Sequence, residues 1–108
     1  MTKTAKDYFE GMPAAFQKDL AARLNATYQF DLGGEGGGKW FVQIRDGVLE
    51  VGEGEKEKPD VVMTAEASTY VEIAEGRANP MLAMATGKFK ISGNLGLAMK
   101  LQQLFKRG

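Results

Sequence analysis

The chain of 108 residues contains no cysteine and no histidine. Without cysteine there is no disulfide, no thiolate nucleophile and no Cys-type zinc site. Without histidine there is no imidazole base and no His-containing catalytic triad. Neither sign of charge is in excess, since 14 Lys and Arg offset 14 Asp and Glu. No electrostatic pull toward nucleic acid follows from that balance. No run of 18 apolar residues could span a bilayer, and Met1-Thr2-Lys3-Thr4-Ala5-Lys6-Asp7 lacks the apolar segment of a secretory signal, so the expected location is cytoplasmic. With 44% apolar and 26% charged residues, the composition is that of one soluble globular domain spanning 1–108.

Apolar spacing then divides the chain. Residues 4 to 24 repeat at helical intervals through Tyr8, Phe9, Met12, Phe16, Leu20 and Leu24, with Gly11 and Pro13 interrupting. Because proline suits a first helical turn and breaks an interior, the expectation is a short helix, a kink and a second helix from Pro13, with the stripe from Met12 to Leu24 buried. From Thr27 the period becomes two. Tyr28, Phe30 and Leu32 form one face of a first strand, and Trp40, Val42 and Ile44 one face of a second, leaving Phe41 on the wetter side.

Between these strands, Gly33-Gly34-Glu35-Gly36-Gly37-Gly38-Lys39 comes near the spacing of a phosphate-binding loop. Trp40 stands where that motif carries Ser or Thr, however, and a strand follows instead of a helix, so a hairpin loop with left-handed glycines is expected. Asp46-Gly47 marks a type I′ hairpin turn into Val48-Leu49-Glu50-Val51. Glu53, Glu55, Lys56, Glu57 and Lys58 read as a solvated loop rather than a metal site. Val61 to Met63 should be a fourth strand continuing the meander, with Thr64 and Glu66 capping a helix from Ala67 to Glu75. Asn79-Pro80 opens another short helix, as N-cap and first helical residue.

The last quarter is the most informative. Phe89 and Ile91 alternate with Lys88 and Lys90 in a fifth strand, and Gly93-Asn94 supplies a break and an N-cap. At about 100° per residue, Leu97, Ala98, Leu101, Leu104 and Phe105 fill one arc of the following helix, while Leu95 and Met99 form a second apolar strip outside it. That surplus strip must face something: a ligand, solvent-shielding neighbours, or a second copy of the chain. The pattern is α+β, a five-stranded mainly antiparallel sheet covered on one face by helices.

Asn79-Pro80-Met81, Ala85-Thr86-Gly87-Lys88-Phe89-Lys90-Ile91-Ser92-Gly93-Asn94 and Gly96-Leu97-Ala98-Met99-Lys100-Leu101 together resemble the C-terminal half of the sterol carrier protein type 2 domain, a lipid-transfer family. Phe30-Asp31-Leu32, the glycine-rich segment, Trp40 and Asp46-Gly47 come in that family's order. The resemblance implies the same architecture with an apolar tunnel between sheet and helices, no catalytic activity, no cofactor and a lipid ligand: fatty acid, fatty acyl coenzyme A, phospholipid or sterol. It places Leu97, Met99, Leu101 and Leu104 on the tunnel wall, with Met84, Phe89 and Ile91 beside them. From the residue faces alone, Phe16, Leu20 and Trp40 join the candidate ligand contacts. The segment Phe105-Lys106-Arg107-Gly108 is not a peroxisomal signal such as Ser-Lys-Leu, so peroxisomal residence does not follow from the resemblance.

Burying a methylene is worth about 0.8 kcal/mol, so a 16-carbon chain gains roughly 12 kcal/mol against association costs of about 4 to 15 kcal/mol. The balance suits a carrier that loads and unloads. Lys88, Lys90, Lys100, Lys106 and Arg107 add an expectation of transient contact with a membrane surface. The alternatives are a protein interaction module, monomeric or a weak homodimer through Leu95 and Met99, with a fully packed core, and a carboxylate enzyme using Asp31, Asp46 or Asp60.

Overall fold

The computed structural model describes residues 4–104. Helix α1 (Ala5–Ala15) starts at a reciprocal cap: Thr4 Oγ1 accepts from the Asp7 N–H, and the Asp7 carboxylate accepts from the Thr4 N–H at 2.8 Å. It does not stop at Pro13 but runs through it, and no second helix begins there. Instead Phe16 turns to extended backbone, and only a four-residue 3₁₀ turn (Lys18–Ala21) follows. The redirection has a visible partner, because the Gln17 N–H donates to the carbonyl of Leu104 at 2.7 Å. Leu20 correspondingly points outward, 58% exposed, against the expected buried stripe.

Five strands follow the alternation: β1 (Asn25–Gly33), β2 (Gly38–Arg45), β3 (Val48–Glu53), β4 (Val61–Glu66) and β5 (Phe89–Gly93). The hairpin between β2 and β3 carries Asp46 at φ 49° and Gly47 at φ 81°, the left-handed pair that a type I′ turn requires. The spatial order is β3-β2-β1-β4-β5. The expected four-strand meander therefore ends after β3: β4 pairs in parallel with β1, from Tyr28 opposite Val61 to Gly33 opposite Glu66, and every other pairing is antiparallel.

To reach β4 the chain crosses the outer face of the sheet, and this crossing corrects two readings. The charged loop is not simply solvated, because the Lys56 N–H donates to Gln29 Oε1 at 2.9 Å and Gln29 Nε2 donates to the carbonyls of Gly54 and Trp40. Gln29 is thereby buried with its amide satisfied. Phe41, expected on the wetter side, is also buried, its ring lying over Gly52 with the Lys56 ammonium 4.4 Å from its centroid.

On the inner face Tyr28, Phe30, Val42, Ile44, Val61 and Met63 form the buried floor. Helix α1 lays Phe9 onto it, and α2 (Ala67–Ala74) adds Tyr70. The Phe9 ring stacks on Trp40 at 4.8 Å and on Tyr70 at 4.9 Å and meets Phe30 edge-on at 5.1 Å. Glu66 stands at the N-cap of α2 without a side-chain hydrogen bond to the helix, so the expected cap is not made. Short α3 (Pro80–Ala85) does begin as read, with Asn79 Oδ1 accepting from the Met81 N–H at 2.8 Å.

Candidate functional site

Helix α4 (Leu95–Leu104) closes the inner face over β4 and β5 and reaches the 3₁₀ turn, while α3 packs against β5. Gly93 permits the entry. Its φ of 99° belongs to glycine, and a Cβ there would sit 2.3 Å from the carbonyl oxygen of Asp60. Asn94 then caps α4, its Oδ1 accepting from the Leu97 N–H at 3.1 Å.

The helix divides as its 100° periodicity requires. Ala98, Leu101 and Leu104 are buried and Leu97 is half-buried, whereas Leu95 and Met99 are 54% and 67% exposed. Phe105 lies outside the described residues. Two polar ties hold α4 at its ends: the Tyr28 hydroxyl donates to the Leu97 carbonyl at 2.8 Å, and the Leu104 carbonyl receives the Gln17 N–H. Burial pushes the Tyr28 phenol up to about 12, so it remains a donor through the neutral range. The alternation of β1 marks Tyr28 only as core. A buried tyrosine whose hydroxyl must find a partner was the available pointer.

Six of the ten expected site residues come together in this half of the molecule. Leu97, Leu101 and Leu104 project from α4, Phe89 and Ile91 line the adjoining strand, and Met84 lies on α3, all packed into the common core. Ile91, Leu97 and Met84 are only partly covered. Met99 belongs to the same helix but to its exposed side. Phe16 is half-buried where the chain passes the end of α4, and Leu20 stays outside.

Trp40 is placed elsewhere. It sits on β2, separated from β4 by β1 and therefore by about 10 Å at the usual strand spacing, under Phe9 of α1. The open depression beside it, about 520 Å³, has Lys6, Glu10 and Glu53 on its lining, a charged rim unlike the aliphatic surroundings of α4. Of the carboxylates considered for catalysis, Asp31 lies on β1 with its Oδ1 3.5 Å from Gln29 Nε2, and the other two stand at turns or strand ends. Asp60 accepts from the Thr27 N–H at 2.8 Å, and Asp46 occupies the left-handed turn position.

The sequence model of the SCP-2 sterol transfer family matches residues 8–106, nearly the whole fold just described. The chain belongs to that family. Its SCP-2 fold is also that of the solution structure of sterol carrier protein domain 2 of Helicoverpa armigera, with 35% identity and a TM-score of 0.72 over 93% of this chain and 80% of that one. A palmitated SCP2-like 2 protein from Aedes aegypti shares the fold at 22% identity, with a TM-score of 0.72 over 94% of this chain and 93% of that one. Among longer proteins, hydroxysteroid dehydrogenase-like protein 2 of Bos taurus is 34% identical over 103 residues, which are 94% of this chain and 25% of that protein. The SCP-2 unit is a lipid-binding, lipid-transfer module, here matched to one quarter of a larger enzyme-like relative.

Proposed function

We propose that this chain is a non-enzymatic carrier that holds one lipid molecule by its acyl chain between α4 and the β4–β5 half of the sheet, and exchanges it with an acceptor. The observation that carries this reading is the incomplete cover of Leu97 on α4, Ile91 on β5 and Met84 on α3, apolar side chains packed against the core that includes Phe89, Leu101 and Leu104. Met84 suits an exchangeable neighbour, since its unbranched thioether adapts to irregular contacts. No charged side chain belongs to that group, so affinity rests on apolar burial with little selection by head group. Palmitate on the Aedes aegypti protein of the same fold supports an acyl chain as the ligand of first choice over a rigid sterol.

Titration with a fluorescent fatty acid tests this directly. The expected result is saturable uptake that Leu97→Gln weakens about tenfold in a protein that remains folded, because Leu97 is partly and not fully buried. Cholesterol should displace the probe poorly. Uptake that is absent, or indifferent to Leu97→Gln in a folded protein, contradicts the reading.

A further inference from the structure

The neutral overall charge conceals a segregation. Every one of the 14 carboxylates lies within residues 1–75, whereas residues 76–108 hold six cations, Arg77, Lys88, Lys90, Lys100, Lys106 and Arg107, and none. The topology gathers the elements built from the described part of this stretch at one edge: β5 is the last strand of the sheet, and α3 and α4 both pack against it. At the opposite edge β3 carries Glu50 and Glu53 and no cation.

Arg77 is engaged by Glu75, but the ion pairs among the described residues leave Lys88, Lys90 and Lys100 exposed and unpaired. Asp60, beside the end of β5, is already occupied by the Thr27 N–H. The same edge bears most of the exposed large apolar side chains: Met81 at 70%, Leu82 at 65%, Leu95 at 54% and Met99 at 67%. Lysines without counter-charges, interleaved with protruding apolar side chains, match a surface that presents negative charge over hydrocarbon.

We propose that the α3–β5–α4 edge docks on anionic lipid bilayers, with Met81, Leu82, Leu95 and Met99 entering the interface and Lys88, Lys90 and Lys100 meeting lipid phosphates. Repulsion among like charges argues against a second copy on this edge, since a symmetric pairing would bring the same lysines together. The docking also sets the carrier site at the membrane, because the half-covered side chains of the proposed acyl site border this edge. It rests on the carrier reading for its purpose but is measured apart from it.

The test is flotation of the full chain with vesicles of phosphatidylcholine alone and of phosphatidylcholine mixed with phosphatidylglycerol. Binding is expected to the mixed vesicles only, to fall as salt rises, and to weaken at least about fivefold for Lys100→Glu. Arg45→Glu, an equal charge change on β2, should leave it unaltered. Met99→Gln should weaken it with the charge intact. Equal binding to both vesicle types, or equal loss with Arg45→Glu, overturns the proposal, as does a dimer in sedimentation that Met99→Lys converts to monomer while vesicle binding is absent. Fatty-acid uptake assayed without vesicles separates the failures: uptake without vesicle binding removes the docking edge alone, and vesicle binding without uptake removes the carrier reading alone.

Discussion

Tyr28 carries two consequences at the scale of one residue. Its hydroxyl ties the first strand to the last helix through the Leu97 carbonyl, so Tyr28→Phe should cost about 1 kcal/mol of unfolding free energy. The phenol is also raised from 10.0 to about 12 by burial. A folded-state value above the unfolded one means stability that is complete below pH 10 and is lost as pH rises toward 12. Thermal melts across that window should show the melting temperature falling in the native sequence and falling less steeply in Tyr28→Phe. Some slope should persist in the variant, because burial raises Tyr70 as well. Identical alkaline slopes would remove Tyr28 from this role. Gly93 is the second such position. Gly93→Ala would place a methyl 2.3 Å from the Asp60 carbonyl oxygen at a φ of 99°, and urea unfolding should show a loss of roughly 1–3 kcal/mol.

At the scale of elements, α4 shows what periodicity can deliver. Its buried and exposed sides separate as the sequence spacing requires, so Leu101→Gln should cost about 2–4 kcal/mol, whereas Met99→Gln should stay within about 0.5 kcal/mol. Equal losses at the two positions, in denaturant melts, would contradict the assignment of faces. The strands and the Asp46-Gly47 and Asn79-Pro80 signals were legible for the same reason: each depends on neighbours in sequence. What was not legible depends on distant partners. The chain turns extended at Phe16 to give the Gln17 N–H to Leu104, and helical spacing in residues 16–24 carries no trace of that acceptor. The parallel pairing of β4 with β1 likewise rests on a loop that crosses the sheet and fills the hydrogen-bonding capacity of Gln29. Trp40 and the α4 residues both face inward, but the same inner face extends across several strands, and parity alone does not say which half a side chain occupies.

At the scale of the whole molecule, two halves share one core. Beneath α1 and α2 the aromatic rings of Phe9, Phe30, Trp40 and Tyr70 pack face to face and edge to face, an arrangement with fixed geometry. Beneath α4 the lining mixes Phe89 and Tyr28 with aliphatic side chains and is partly uncovered at Leu97 and Ile91, and the neighbouring edge holds the lysines of the carboxylate-free stretch. The aromatic half gives the fold its frame; in the proposed reading the α4 half is where a flexible chain of methylenes replaces side-chain or water contacts at little cost in specific geometry. Phe9→Ala tests the division of labour. It should destabilise by about 3–5 kcal/mol in denaturant melts, yet the remaining folded fraction should still take up fatty acid.

The central claim is that the α4 half holds lipid. Native mass spectrometry of the freshly purified protein, followed by denaturation and lipid analysis of what is released, tests it most directly. The account predicts a bound mass in the range of a single acyl lipid, which Leu97→Gln reduces. A protein that flies only at its bare mass, and does not shift when fatty acid is added, would contradict it and leave the SCP-2 fold here as a packed module without a lipid.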